Sequence, residues 1–153
     1  MYKALCVAAL MVGVLALTGR NSSASPAPLT SPLIVAKGKL VNQTAEIPQT
    51  TIYTPSATGL YRLNAYMVET SPISSQGVYW SFNLLWTDDG GAQSNGSNMY
   101  LAAIGGFGTP TWTPGSTSVF RANAGQGVAY SVTLQGGTSG GTYSLYYTLE
   151  RLE

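Results

Sequence analysis

Apolar and polar positions alternate along four segments of the chain with the period of two that a β-strand imposes. The clearest run covers residues 78–86, where the apolar positions are Val78, Trp80, Phe82, Leu84 and Trp86. Three further runs have apolar positions at Tyr61, Leu63, Ala65 and Met67; at Val128, Tyr130, Val132 and Leu134; and at Tyr143, Leu145, Tyr147 and Leu149. Weaker strand signals cover 33–41, 50–53, 99–104 and 116–121. Each strong run predicts a half-buried strand with one apolar face.

Turn-forming residues separate these segments, and helix signals are almost absent. Clusters rich in Gly, Pro, Asp and Ser occur at 55–59, 88–91, 124–127 and 136–141, and such clusters mark turns. No window of about a dozen residues keeps apolar positions at helical spacing without a Gly or a Pro. About eight short antiparallel strands separated by such turns are typical of an all-β, single-domain β-sandwich, which we predict over residues 33–153. Among β-sandwiches, this number of strands favours a jelly roll.

The first 24 residues have the pattern of a secretory signal peptide. Lys3 provides a positive charge, residues 4–17 are apolar, and mostly small polar residues follow up to Ala24, as in signal peptides. The apolar segment is shorter than the about 20 residues that span a bilayer, although a retained membrane anchor stays open as the alternative. We therefore expect cleavage after residue 24, a secreted, extracellular or cell-surface protein, and no membrane span in the mature chain. Residues 25–32 are rich in proline and are predicted to form an extended linker.

Composition and charge argue against catalysis and nucleic-acid binding. The chain has no His and a single Cys, Cys6, which lies in the predicted signal peptide, so the usual general base and a Cys-based zinc site are missing. Removal of residues 1–24 takes Lys3 and Arg20 from the seven basic residues and leaves five against six acidic ones. Such a surface cannot neutralise many phosphates. We therefore expect no enzyme activity and no nucleic-acid partner.

The single acidic cluster is Asp88-Asp89, which precedes two glycines and a polar segment that ends at Asn98. Calcium takes carboxylate, amide and backbone oxygens as ligands, so one interpretation is a calcium site at Asp88 and Asp89. The other interpretation, which we prefer, is a loop over 88–98 whose Asp-Gly turn needs a positive φ and no ion. We therefore expect no cofactor.

Several aromatic residues are candidates for a binding surface. Tyr66 and Tyr146 lie on the polar sides of their predicted strands, and Trp112 lies between two prolines in a predicted loop. Exposed aromatic side chains can pack in a subunit interface or stack on sugar rings. A scatter of ordinary surface tyrosines is the remaining alternative, because isolated exposed apolar groups are common.

Two short motifs resemble the jelly roll of the tumour-necrosis-factor and complement-head-domain superfamily, a plan that is also found in bacterial and phage surface modules. Residues 58–63 (TGLYRL) resemble the Gly-x-Tyr opening of a central strand, and residues 120–128 (FRANAGQGV) resemble a later strand–Gly turn–strand unit. The resemblance covers residues 33–153. It implies a compact, trimer-forming recognition head, and it implies no catalytic residues.

Together these observations predict a secreted or surface-exposed, non-catalytic β-sandwich head that serves structural assembly or recognition. We expect it to form a homotrimer through a face that bears Tyr61, Tyr66 or Tyr146. The alternative is a carbohydrate-binding module that uses Trp112 and exposed tyrosines, with a calcium ion at Asp88 and Asp89. The expected partners are other copies of the chain or a surface glycan or protein.

Overall fold

A computed structural model describes residues 32–73, 77–102, 115–137 and 141–153. Within these ranges the chain forms eight strands and no helix, and so it contains no helix that could cross a membrane. The strands are β1 (Leu33–Gln43), β2 (Ile47–Tyr53), β3 (Gly59–Ser71), β4 (Tyr79–Asp88), β5 (Gly91–Ala102), β6 (Gly115–Ala122), β7 (Val128–Gln135) and β8 (Thr142–Arg151). The predicted signal peptide, all but the last residue of the predicted linker, and Trp112 lie outside the described residues.

The strands form two four-stranded antiparallel sheets that pack face to face. The first sheet has the order β1-β8-β3-β6 and the second has the order β2-β7-β4-β5. The chain therefore crosses repeatedly from one sheet to the other, and its first and last strands are neighbours. Eight strands in two sheets with such long-range pairing form a jelly roll, so the predicted fold is confirmed.

The strong alternating runs supply the core between the sheets. Their apolar positions are buried or nearly so, and only Trp86, Leu134 and Tyr147 are partly buried at the margin. Aromatic rings connect the two layers, because Trp80 of β4 contacts Tyr143 of β8 with ring centroids 4.7 Å apart. Aromatic side chains bury large areas, so these contacts contribute much of the hydrophobic stabilisation.

Tyr61 belongs to this core, and its predicted place on an exposed face is wrong. Its side chain is 0% exposed, and its ring lies near those of Tyr53 and Phe120 at 5.8 and 6.2 Å. The reason is the period of two, because Tyr61 lies on the same side of β3 as Leu63, Ala65 and Met67, all of which are buried. The polar side of β3 carries Tyr66.

The segment after Asp88 is a strand, so the predicted loop over 88–98 is also wrong. Asp88 pairs with Gly91, which leaves only residues 89–90 between β4 and β5. The alternation of apolar and polar residues did not reveal the start of β5, because the residues that face inward in the first half of this strand are polar. Gln93 donates a hydrogen bond to Asp88 (3.0 Å), and Asn95 donates one to Ser118 of β6 (2.8 Å), so their polar groups are satisfied although they face inward.

Candidate functional site: the outer side of the first sheet

The outer side of the first sheet carries Tyr66 and Tyr146, two of the candidate binding residues; Tyr66 is exposed and Tyr146 is half-buried. The register places one residue of each strand in a row across the sheet, ordered from β1 through β8 and β3 to β6. The first row is Lys39, Tyr146, Tyr66 and Gly115; the second is Lys37, Thr148, Asn64 and Thr117; the third is Ile34, Glu150, Arg62 and Val119. We call the surface formed by these three rows the tyrosine face.

The first row is centred on a stacked tyrosine pair. The rings of Tyr66 and Tyr146 are 4.8 Å apart between centroids and nearly parallel, with an interplanar angle of 10°. The Lys39 ammonium lies 5.6 Å from the centroid of the Tyr146 ring, which is within the range of a cation–π contact. Gly115 follows Tyr66 in the row and has no side chain, so the β6 side of Tyr66 is left uncrowded. Tyr66 is 43% exposed.

A groove of about 720 Å³ crosses all four strands along the first two rows. It forms because Thr148, Asn64 and Thr117 of the second row have short side chains, whereas the neighbouring row carries the larger Tyr66 and Tyr146 side chains. Asn64 and Thr117 in that row are joined by a hydrogen bond of 2.9 Å from the threonine hydroxyl to the amide oxygen. Lys37 and Lys39 line the β1 end of the groove, and no carboxylate lies among the described residues that line it.

The third row combines an ion pair with apolar side chains at both ends. Arg62 Nη2 lies 2.6 Å from Glu150 Oε2, and Arg62 Nε donates to the same oxygen at 2.7 Å. The two charges therefore neutralise each other within one chain. A partly exposed pair of this kind contributes at most about 1 kcal/mol to stability. Ile34 and Val119, at the two ends of the row, are 55% and 58% exposed.

Exposed apolar side chains concentrate on this sheet. Among the described residues, large hydrophobic side chains that are exposed occur at six positions, and five of them belong to strands of the first sheet: Leu33, Ile34, Val41, Tyr66 and Val119. The sixth, Tyr100, belongs to the second sheet. Three of the six, Ile34, Tyr66 and Val119, lie in the rows of the tyrosine face. Large exposed apolar patches mark interaction sites, which makes the tyrosine face a candidate for one.

The carboxylates of Asp88 and Asp89 contact different groups of the chain. Asp88 Oδ1 accepts hydrogen bonds from the Gly90 amide (2.8 Å) and from Gln93 (3.0 Å), and Oδ2 accepts one from the Trp86 indole (3.4 Å). Asp89 lies 3.5 Å from Arg121 of β6. In the part of the chain that the structure describes, no three acidic, His or Cys side chains lie together as a metal site would need.

The turn at Asp88 differs in detail from the predicted one. The positive φ falls on Gly91, at 100°, and not on the glycine of the Asp-Gly pair. A glycine in this conformation directly after a tight turn is typical of a hairpin that closes with a bulge. Asp88 serves this turn because its carboxylate accepts a hydrogen bond from the Gly90 amide.

The tyrosines with shifted pKa values contribute to the core. Burial raises the pKa of Tyr61, Tyr130, Tyr143 and Tyr147, because desolvation disfavours the phenolate. The shift is largest for Tyr143, whose hydroxyl donates a hydrogen bond of 3.1 Å to the Ala45 carbonyl. These shifts follow from packing, and they identify no acid–base pair.

Comparisons with known proteins add a likeness of fold. No family model matches the chain, and no curated protein matches it. The structure of Eiger TNF from S. frugiperda aligns over 80% of this chain and 94% of its own, with 13% identity and a TM-score of 0.42. A family 16 carbohydrate-binding module aligns over 77% of this chain and 82% of its own, with 16% identity and a TM-score of 0.32. Both of these solved structures are β-sandwich proteins.

Proposed function

We propose that the chain is a secreted, non-catalytic β-sandwich head that assembles with copies of itself through the tyrosine face. The observation that carries this proposal is the set of exposed large apolar side chains on the tyrosine face, Ile34, Tyr66 and Val119, together with the stacked pair of Tyr66 and Tyr146. Aromatic residues are enriched in the buried centres of subunit interfaces, and burying apolar area drives association.

Most charges on the tyrosine face have a partner within the chain, and Lys37, on the edge strand β1, is exposed and can keep its ammonium in water. Glu150 is already paired with Arg62, and the ammonium of Lys39 lies against the Tyr146 ring. A charge that keeps its partner when water is removed loses less solvation energy than an isolated one. The groove beside Tyr66 gives the face a concave shape that a complementary surface of another copy can fill.

Three copies are the expected stoichiometry, because the resemblance of the strand motifs implies a trimer-forming head. A closed ring of identical copies also uses up the apolar face of every copy, whereas an open arrangement leaves one face exposed.

The alternative function, saccharide binding by stacking on Tyr66 and Tyr146, has less support on this face. A sugar ring stacks on an open aromatic face, but the Tyr146 ring already contacts Tyr66 and Lys39. Trp112, the other residue of that hypothesis, lies outside the described residues. In the proposed self-assembly, both tyrosines contribute to the interface in the stacked arrangement that the structure shows.

The test is the molar mass in solution of two matched variants, measured by light scattering. Tyr66→Arg places a charge in the centre of the tyrosine face, and Tyr100→Arg places one at a similarly exposed tyrosine of the second sheet. We expect the wild type and Tyr100→Arg to have the mass of three copies and Tyr66→Arg to have the mass of one. Equal masses for Tyr66→Arg and the wild type would contradict the proposal.

A further inference from the structure

Among the described residues, no strand position on the outer side of the second sheet is charged, although the carboxylate of Glu46, which precedes β2, accepts a hydrogen bond from the Leu134 amide of β7 (2.8 Å). From Pro32 onward the chain has eleven charged residues, and seven of them lie on strands of the first sheet: Lys37, Lys39, Arg62, Glu69, Arg121, Glu150 and Arg151. Glu46, Asp89 and Glu153 lie outside strands. Asp88 ends β4, and its carboxylate bonds to Trp86 and Gln93 on the inward side of the hairpin.

This outer side is instead rich in hydroxyl and carboxamide groups. Since Trp80, Phe82 and Leu84 of β4 are buried, the residues between them and their register partners on β5 and β7 face outward. The register joins Ser81 to Tyr100 and Thr133, Asn83 to Ser131, and Tyr79 to Gln135. We call the surface formed by these seven residues the uncharged face. Ser81 is only 4% exposed, so the other six residues provide the groups that a ligand can reach.

Two tyrosines stand at one end of the uncharged face. The rings of Tyr79 and Tyr100 are 5.4 Å apart between centroids and almost perpendicular, at 81°. In such a T-shaped pair one ring contributes only its edge, so the faces of that ring are not used in the pair. Tyr100 is 38% exposed, and the pair therefore offers an aromatic surface next to hydrogen-bonding side chains.

The chemistry of the uncharged face selects among ligands. A charged ligand finds no opposite charge among its seven residues, and an apolar protein surface finds only Tyr100 among the exposed large hydrophobic side chains of the described residues. Ser, Thr, Asn and Gln side chains each donate and accept hydrogen bonds, which matches a ligand that carries many neutral hydroxyl groups. An aromatic ring beside them matches the flat apolar side of a sugar ring.

We propose that the uncharged face binds a neutral oligosaccharide, with one sugar ring against the Tyr79–Tyr100 pair. The polar groups extend from β5 across β4 to β7, a width of two interstrand spacings or about 10 Å. Contacts over that distance favour several linked sugars over a single one. The site is on the sheet opposite the tyrosine face, so it stays open when the chain assembles, and it does not depend on assembly.

The experiment is calorimetric titration of the wild-type protein. The probes are three neutral oligosaccharides, cellohexaose, xylohexaose and maltohexaose, and one acidic control, hexagalacturonate. We expect at least one neutral probe to bind and hexagalacturonate not to bind. Tyr100→Ala should weaken that binding at least about tenfold, which is a typical loss for a central aromatic contact. Tyr100→Phe keeps the ring and should stay within about threefold of the wild type.

Further variants make the result decisive. Thr133→Glu introduces a charge on the uncharged face and should also abolish binding, while Val41→Ser, at an exposed position of the other sheet, should leave the affinity unchanged. Absence of binding to all three neutral probes, or equal affinity in Tyr100→Ala and the wild type, would overturn the proposal. A change of molar mass in Tyr100→Ala would also overturn it, because the uncharged face would then be a subunit contact.

Discussion

Gly38 of β1 lies directly against the ring of Tyr147, its register partner on β8. A Cβ atom at this position would overlap the ring, because its nearest neighbours are all atoms of Tyr147. Tyr147 in turn packs on Tyr130 with ring centroids 5.4 Å apart. The ring therefore cannot move away without disturbing the core.

We therefore predict that Gly38→Ala lowers the free energy of unfolding by about 1–3 kcal/mol, as overpacking does elsewhere. Gly115→Ala is the matched control, because its Cβ would meet Ala65 O and Tyr66 Cβ only at 3.6 and 3.7 Å. That control should leave stability unchanged or raise it by up to about 1 kcal/mol. Urea unfolding at one protein concentration measures the stability of both variants. Equal midpoints for Gly38→Ala and the wild type would show that the Tyr147 ring leaves room for a Cβ atom at position 38.

The buried tyrosines make stability sensitive to alkaline pH. Burial raises the pKa of Tyr143 furthest from its ordinary value of 10.0, and it also raises those of Tyr61, Tyr130 and Tyr147. In the unfolded chain these phenols ionise near pH 10, whereas the folded chain keeps their protons. Stability is therefore fully present below pH 10 and is lost as the pH rises through the folded pKa values.

The prediction is a free energy of unfolding that is level from pH 8 to about 9.5 and then falls, by up to about 1.4 kcal/mol per pH unit for each such phenol. Tyr143→Phe removes one of them and should make the alkaline fall less steep, although it loses the hydrogen bond to Ala45. Urea unfolding curves of the wild type and Tyr143→Phe, measured at intervals of half a pH unit, test this prediction. An identical slope in the variant would contradict the role of Tyr143.

At the scale of elements, the β4–β5 hairpin is predicted to need no calcium. The oxygens of Asp88 already accept hydrogen bonds from Gly90, Gln93 and Trp86, and Asp89 lies beside Arg121. Calcium would have to displace these partners and collect about six oxygens. Millimolar calcium should therefore shift the thermal midpoint by less than about 1 °C, because a ligand that does not bind the native state does not stabilise it. A rise of several degrees that disappears in Asp88→Asn/Asp89→Asn would show that the hairpin binds the ion.

How far the elements could be predicted depended on whether their inward positions are apolar. β3, β4, β7 and β8 were predictable because their buried residues alternate with polar ones, as Trp80, Phe82 and Leu84 do. The first half of β5 was not predictable, since Gln93 and Asn95 face inward and are held by hydrogen bonds that a sequence does not display.

The candidate site was predictable only in part, for a related reason. Alternation placed Tyr66 on one side of β3 and Tyr146 on one side of β8, and the same rule applied to Tyr61 would have assigned it to the core. The stacking of Tyr66 on Tyr146 depends on the register between β3 and β8, which joins residues far apart in the chain. The contacts of Lys39 and of Arg62 with β8 depend on register in the same way.

At the scale of the whole molecule, the two outer sides of the sandwich differ in chemistry. The first sheet carries most of the charges and most of the exposed apolar side chains, and the second carries hydroxyl and amide groups. We propose that the two sides have separate tasks, assembly for the first and recognition of neutral saccharides for the second. A ring of copies would present several recognition faces at once, and linked binding sites gain affinity through avidity.

Sedimentation equilibrium of the wild-type protein tests self-assembly most directly. It should be carried out over a hundredfold range of protein concentration, because a specific assembly keeps its stoichiometry where weak association does not. The account predicts a mass of three chains that persists to the lowest concentration and falls to that of one chain in Tyr66→Arg. A wild-type mass of one chain throughout the range would contradict it.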